Sequence, residues 1–354
     1  TATICSSLLL IWVGKKIDEF KLFNYALFVT SLLFISTLFF SFINNVYLLI
    51  AGIFLIRFSG QGLMSHTSST AISRYFDKSR GKALSTIWLG LSSAEFLLPV
   101  LVIYFLTIYP WQIVWKGIAT LVIVVLPLLI FNTIKKIKFE TREDGLIFKS
   151  KLKIKSWKRS EVLKDYRFYI VSLNMLAMPW IFTGIAVYQS FIADSKFWNS
   201  YTIPKGFMIY SITTIVTLFY SGFIIDKYTS RKMIVFMNIP LLISMGILFF
   251  FNHNYSAYFF LGLIGISNGL ANVLGSSTWA EIYGVKYIGS IKALTTSLMV
   301  FSTAFGTAIF GLLIDYGFSI ENVALIASMY IILSLILLIL TKDRLEPIII
   351  SKKT

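Results

Sequence analysis

Apolar runs of roughly twenty residues recur along this chain, separated by short loops that carry nearly all of its charge. An α-helix rises 1.5 Å per residue, so about 20 apolar residues cross a hydrocarbon core about 30 Å thick. On that measure the spans fall at 1–13, 23–42, 46–73, 83–107, 113–133, 168–191, 204–224, 233–251, 256–280, 292–314 and 321–340. Of 354 residues 57% are hydrophobic and 14% charged, against about 25% charged in a soluble domain. A single water-facing globule cannot bury that much apolar surface and still present a polar exterior. Lipid is therefore the expected solvent, and the fold class an all-α membrane protein. Thr1-Ala2-Thr3 enters an apolar run at once, without a charged segment and cleavage site, so the reading is a chain that begins inside a transmembrane helix rather than with a signal peptide. The segments 46–73 and 256–280 are long enough to project beyond the bilayer, and Pro99, Pro127, Pro179 and Pro240 lie inside spans, where neighbours can satisfy freed carbonyls.

Net charge is +16, but its placement argues for topology and not for nucleic acid. Of 32 Lys and Arg residues, Lys116, Lys196 and Lys205 fall on one side and Arg57 lies within a span; the remaining 28 fall on the other side. The positive-inside rule makes that side cytoplasmic, with the C-terminus on it. A plasma membrane, the inner membrane of a bacterium, is the expected location. The stretch 134–167 divides a first group of helices (1–133) from a second (168–341), followed by a tail at 342–354. Its last part reads either as an amphipathic helix with Trp157, Val162 and Leu163 against lipid or as a solvated basic linker.

A shift of 208 residues superimposes Gly14 and Asp18 on Gly222 and Asp226, Ser68-Ser69-Thr70 on Ser276-Ser277-Thr278, Tyr75 on Tyr283, and Gly81 on Gly289. After a two-residue slip Lys82-Ala83-Leu84 matches Lys292-Ala293-Leu294. Matching loops share a side of the membrane, so the halves are parallel repeats, a plan that places a binding site near the midplane between them. The second half has six helices and the first five, from which a twelve-helix design lacking its first helix is expected.

These motifs resemble the major facilitator superfamily. Gly14-Lys15-Lys16-Ile17-Asp18 looks like that family's loop after the second helix, and Gly222-Phe223-Ile224-Ile225-Asp226, continuing to Arg231-Lys232, like its repeat after the eighth. Arg57-Phe58-Ser59-Gly60-Gln61-Gly62 resembles the fourth-helix Arg followed by glycines, Arg80-Gly81-Lys82 the entry to the fifth helix, and Pro110-Trp111-Gln112 the turn before the sixth. Residues 90–99 lack the Gly-Pro-x-x-Gly-Gly run of the drug exporters, and Phe20-Lys21 depart from the usual basic cluster. The general look is similar to monocarboxylate and organic-anion carriers. The resemblance implies two six-helix halves, alternating access, a small-molecule substrate and protons as coupling ions, in a functional monomer.

Several residues are candidates for the work. Asp18 and Asp226, with Gly14 and Gly222, suit contacts with the positive N-termini of neighbouring helices, a cytoplasmic gate that Glu281 joins by pairing with Arg231. The other reading makes them topology charges alone. Arg57 and Glu95 stand near one depth in adjacent antiparallel helices, roughly 16 and 18 Å below the outer ends. Isolated charges at that depth are costly, so Arg57 holds an anionic substrate with Glu95 as the proton-coupling carboxylate, or the two form a structural salt bridge. Gln61, one turn from Arg57, and Asn268 and Asn272, one turn apart beside Gly265-x-x-x-Gly269, are further substrate candidates or interhelical glue. With one Cys and two His, neither a disulfide nor a zinc site is expected. No phosphate loop or catalytic cluster is present, so no cofactor is expected and a secondary carrier is preferred to an enzyme, a channel or a non-transporting scaffold.

Overall fold

The computed structural model describes residues 2–76, 79–135 and 153–350. Eleven membrane-type helices are found among them. They are α1 (Ala2–Val13), α2 (Leu22–Phe40), α3 (Val46–Tyr75), α4 (Arg80–Ile108), α5 (Trp111–Thr133) and α6 (Tyr166–Val187), then α7 (Thr202–Tyr228), α8 (Ser230–Phe250), α9 (Asn254–Tyr283), α10 (Ile288–Asp315) and α11 (Ile320–Leu345). Ten are long and apolar enough to cross a membrane; α1 has 12 residues. Helix starts are set by local chemistry: Asn45 accepts the amide of Leu48 at 2.9 Å, and Asp165 that of Arg167 at 3.0 Å.

The repeat is visible in the helix boundaries. Val46–Tyr75 and Asn254–Tyr283 start and end 208 residues apart, and Arg80 and Ile288, which open α4 and α10, keep the same offset. α1 to α5 therefore correspond to α7 to α11, while α6 has no counterpart among the described residues of the first half. α6 packs on α10 and α11: Tyr330 donates to Leu173 O at 2.7 Å, and Ser302 to Leu176 O at 3.2 Å. Without such a helix α4 and α5 are 7% and 11% buried over their apolar windows, against 28% and 39% for α10 and α11.

In the second half α7 and α9 approach closely at Gly265 and Gly269. A Cβ on Gly269 would stand 2.7 Å from Thr217 Cβ, and Thr214 Oγ1 donates to Gly265 O at 3.1 Å, the small-residue packing expected in lipid. Arg57 and Gln61 occupy the equivalent positions of α3, where residues Arg57–Met64 are wound as a π-helix. The halves meet through two reciprocal helix pairs, α1 with α10 and α7 with α4. Ser297 Oγ donates to Ser7 O across the first of them at 2.5 Å.

Half of the 134–167 linker, including Lys136, Lys138, Arg142 and Lys149, lies outside the described residues. Its end, from Lys153 on, packs on protein, and the amphipathic reading is corrected accordingly. β1 (Lys153–Ile154) pairs antiparallel with β2 (Ile349–Ile350) of the tail. Trp157 stands edge-on to Tyr283 with centroids 5.5 Å apart, and Val162 is fully buried among second-half residues. Trp157 and Val162 thus have a protein surface to cover, while Leu163 is exposed.

Candidate functional site

The two Gly-x-x-x-Asp loops of the repeat each end against a helix of the other half. Asp18 follows α1, and its carboxylate accepts the amides of Gly289 at 3.0 Å and Ser290 at 2.6 Å, the first amides of α10. Ser290 Oγ adds a third bond at 2.6 Å, and Arg74 of α3 forms an ion pair with the same carboxylate. Asp226 ends α7 and accepts the amides of Gly81 at 2.7 Å and Lys82 at 3.2 Å, the first amides of α4. The first amides of a helix have no intrahelical acceptor and carry the positive end of its dipole, so a carboxylate there satisfies both.

Glycine is required by proximity. A Cβ on Gly81 would meet Gly222 O at 2.6 Å and Asp226 Oδ1 at 2.8 Å; one on Gly222 would meet Ser85 Oγ at 2.5 Å. Gly14 faces Ala293 Cβ, which an added Cβ would meet at 2.8 Å, and Gly289 sits directly against Ile17 and Asp18. His66, fully buried, is bonded to Gly14 O at 2.9 Å and braces the same corner.

Glu281 does not reach across to the first half. It accepts the amides of Ser230 at 3.0 Å and Arg231 at 3.2 Å, capping the start of α8, and lies 3.5 Å from Arg231 Nε. Arg231 Nη1 is also 2.5 Å from Glu346 of the tail. The tail is anchored further by Arg167, which pairs with Asp165 at 2.7 Å and donates to the carbonyls of Arg344 and Glu346 at 3.1 Å each, while Tyr283 donates to Asp165 at 3.1 Å. Arg159 donates to Ile11 O of the first half at 3.0 Å, so linker and tail together touch both halves. Close by, Glu161 accepts the Lys158 amide and pairs with Lys155, which hold its carboxyl below the ordinary range.

Between the halves lies a cavity of about 140 Å³. The first half contributes Ser65, Ser69 and Trp88, and the second half Asn268, Asn272 and Lys292 among others. Asn268 Nδ2 donates to Tyr210 Oη at 2.7 Å. Arg57 is placed elsewhere: it donates to Gln61 Oε1 at 2.6 Å, and neither residue lines the cavity. The side chain of Glu95 lies outside the described residues, so the structure does not address a pair with Arg57. Asn268 and Asn272 thus come together at the cavity, and Arg57 and Gln61 come together away from it.

Lys292 is the residue that loop counting missed. It is one of the 28 charges on the basic side, yet it is the fifth residue of α10 and only 2% exposed. Its repeat partner Lys82 is exposed, with Nζ over the Phe223 ring at 4.7 Å. The sequence signal was available in the match of Lys82-Ala83-Leu84 with Lys292-Ala293-Leu294, which puts both lysines on helices.

The sequence model of the Major Facilitator Superfamily matches residues 1–204 and again 200–353. A sequence search of curated proteins finds no match. The fold is similar to that of a bacterial homologue of the iron transporter ferroportin in its outward-facing state, with a TM-score of 0.72 at 15% identity, covering 97% of this chain and 89% of that one. It is also similar to the human organic anion transporter MFSD10 (TETRAN), with a TM-score of 0.75 at 14% identity, covering 95% of this chain and 82% of that one. At such identities the likeness is one of fold. With two matched halves spanning its length, their helices in register and a cavity between them, the chain belongs to the Major Facilitator Superfamily.

Proposed function

We propose that this chain is a secondary active carrier that moves a small solute by alternating access, with the central cavity as its site and protons as the coupling ion. The observation that carries the reading is the reciprocal closure beneath the cavity, Asp18 on α10 and Asp226 on α4. Each half holds the other by a helix end, so the contacts break and remake as units when the halves rock. Asn268 and Asn272 contact the solute, and Glu281 supports the gate by ordering the loop that carries Arg231. The basic loop side is cytoplasmic by its charge, which makes the latched state the outward-facing one. Arg57 and Gln61 set the shape of α3, and Glu95 is the coupling carboxylate; its repeat partner is Phe305, so the shared fold does not require an acid there.

The test is uptake by proteoliposomes containing the full-length protein, with and without an imposed pH gradient, against a panel of small carboxylates, neutral sugars and quaternary amines. The account expects one class to accumulate in response to the gradient. Glu95→Gln is expected to abolish pH-driven accumulation while leaving exchange intact. Gradient-independent flux in the wild type and an unchanged response in Glu95→Gln would each contradict the coupling assignment.

A further inference from the structure

We infer that the central cavity takes a small anion and that Lys292 receives its negative group; this rests on the carrier reading and adds the substrate class. Lys292 is the only charged side chain in the described lining of the cavity, and no carboxylate lines it. Its ammonium reaches one polar group, Ser73 Oγ at 3.5 Å, and forms no ion pair with a described residue. The ionisable groups that act on it electrostatically, Arg80 and His66, are basic as well. A cation at this depth is ordinarily paired with an acid or bonded to several carbonyls. Here no such complement is found among the described residues, and Lys292 lines the cavity.

The rest of the wall agrees with an anionic guest. Trp88 and Ser172 line the cavity, and the Trp88 indole N–H and the Ser172 hydroxyl are buried beside it with no hydrogen-bond partner among the described residues. An indole N–H is a donor only, so its complement must be an acceptor. Ser69, Ser276 and Thr296, from both halves, are further hydroxyl-bearing residues of the cavity wall. A cavity of about 140 Å³ suits a compact anion, since pockets for drug-sized ligands run to about 300–1,000 Å³.

The position of the lysine joins binding to closure. Ser290, two residues earlier in α10, is held by Asp18, and Ser73, its neighbour, lies 3.2 Å from Ser276 O across the junction of the halves. A bound anion would place countercharge at the floor of the cavity, one turn above the Asp18 latch. Arg57, bonded to Gln61 outside the cavity, does not compete for this role.

The experiment uses the full-length protein with acetate, lactate and succinate as probes and tetraethylammonium and glucose as controls. Binding is read by the quenching of tryptophan fluorescence and by thermal shift, and flux by proteoliposome uptake. At least one carboxylate is expected to bind and saturate; Lys292→Gln weakens it about tenfold or more, as expected for one lost charge-assisted contact, and Lys292→Arg restores part of the affinity. Carboxylate binding lost in Lys292→Gln but without flux in the wild type would keep the anion site and overturn the carrier reading. Saturable flux of tetraethylammonium or glucose with no carboxylate binding would keep the carrier and overturn the anion site. Wild-type carboxylate affinity in a monodisperse Lys292→Gln protein would likewise overturn the role of Lys292. If Lys292→Gln fails to fold, Trp88→Phe removes the indole donor together with part of the ring and is expected to weaken the same carboxylate severalfold, read by thermal shift and uptake; no change would count against the site.

Discussion

Asp18 and Asp226 stand at equivalent places in the two halves, and each accepts the amides of the second and third residues of a helix in the opposite half. Around Asp18 there are also the Ser290 hydroxyl and the Arg74 guanidinium. On the second side the neighbouring charge, Arg231, is turned away toward Glu281 and Glu346, so it braces the loop and the tail instead of the crossing carboxylate. The shared part, carboxylate to helix end, is what the repeat preserves. The unequal part concentrates strength on the α1–α10 side, which is also the side of Lys292. On the proposed cycle the α4–α7 contact yields first and the Asp18 contact last.

Asp18→Asn gives the largest expected effect, since a carboxamide keeps the shape but loses the charge that Arg74 and two amides face. It should weaken closure by about 2–3 kcal/mol, and Asp226→Asn by about 1 kcal/mol. Accessibility of a cysteine placed in the cavity to a reagent added from the basic side reads both; equal effects would break the comparison. Next comes Gly81→Ala, whose Cβ would meet the Gly222 carbonyl and Asp226. Overpacking of this kind costs about 1–3 kcal/mol, whereas Gly90→Ala, with nothing within 4 Å of an added Cβ, should stay within about 0.5 kcal/mol. A modest effect is expected from Gln61→Leu, which removes the Arg57 partner in a stretch of α3 whose counterpart in α9 is glycine-packed. About 1 kcal/mol of thermal stability in detergent should be lost, with solute affinity unchanged because neither residue lines the cavity.

Much of this was legible from sequence for identifiable reasons. Helices that must satisfy every backbone group inside lipid announce themselves as apolar runs, and repeated Gly-x-x-x-Asp loops announce the two-half plan. The Asp positions were readable because helix ends and carboxylates have complementary charge whatever the surroundings. Lys292 was legible only as the repeat partner of Lys82, because a basic residue five places into a helix otherwise looks like a loop charge until the opposite half covers it. Glu281 pairs with Arg231 as the loop pattern suggested, yet it caps α8 within its own half, a distinction that depends on the crossing of α8 and α9. The anchoring of linker to tail by Asp165, Arg167 and Tyr283 joins residues more than 100 positions apart and carries no local signature.

The central claim is that Asp18 and Asp226 hold the two halves together on the basic side. Nitroxides at Thr133 and Leu340, exposed positions at the basic-side ends of α5 and α11, with Cys5 replaced by serine, report the separation of the halves in lipid nanodiscs. The account predicts one short distance population in this background and an added longer population when Asp18→Asn and Asp226→Asn are combined. An unchanged distance distribution in the double variant would contradict it.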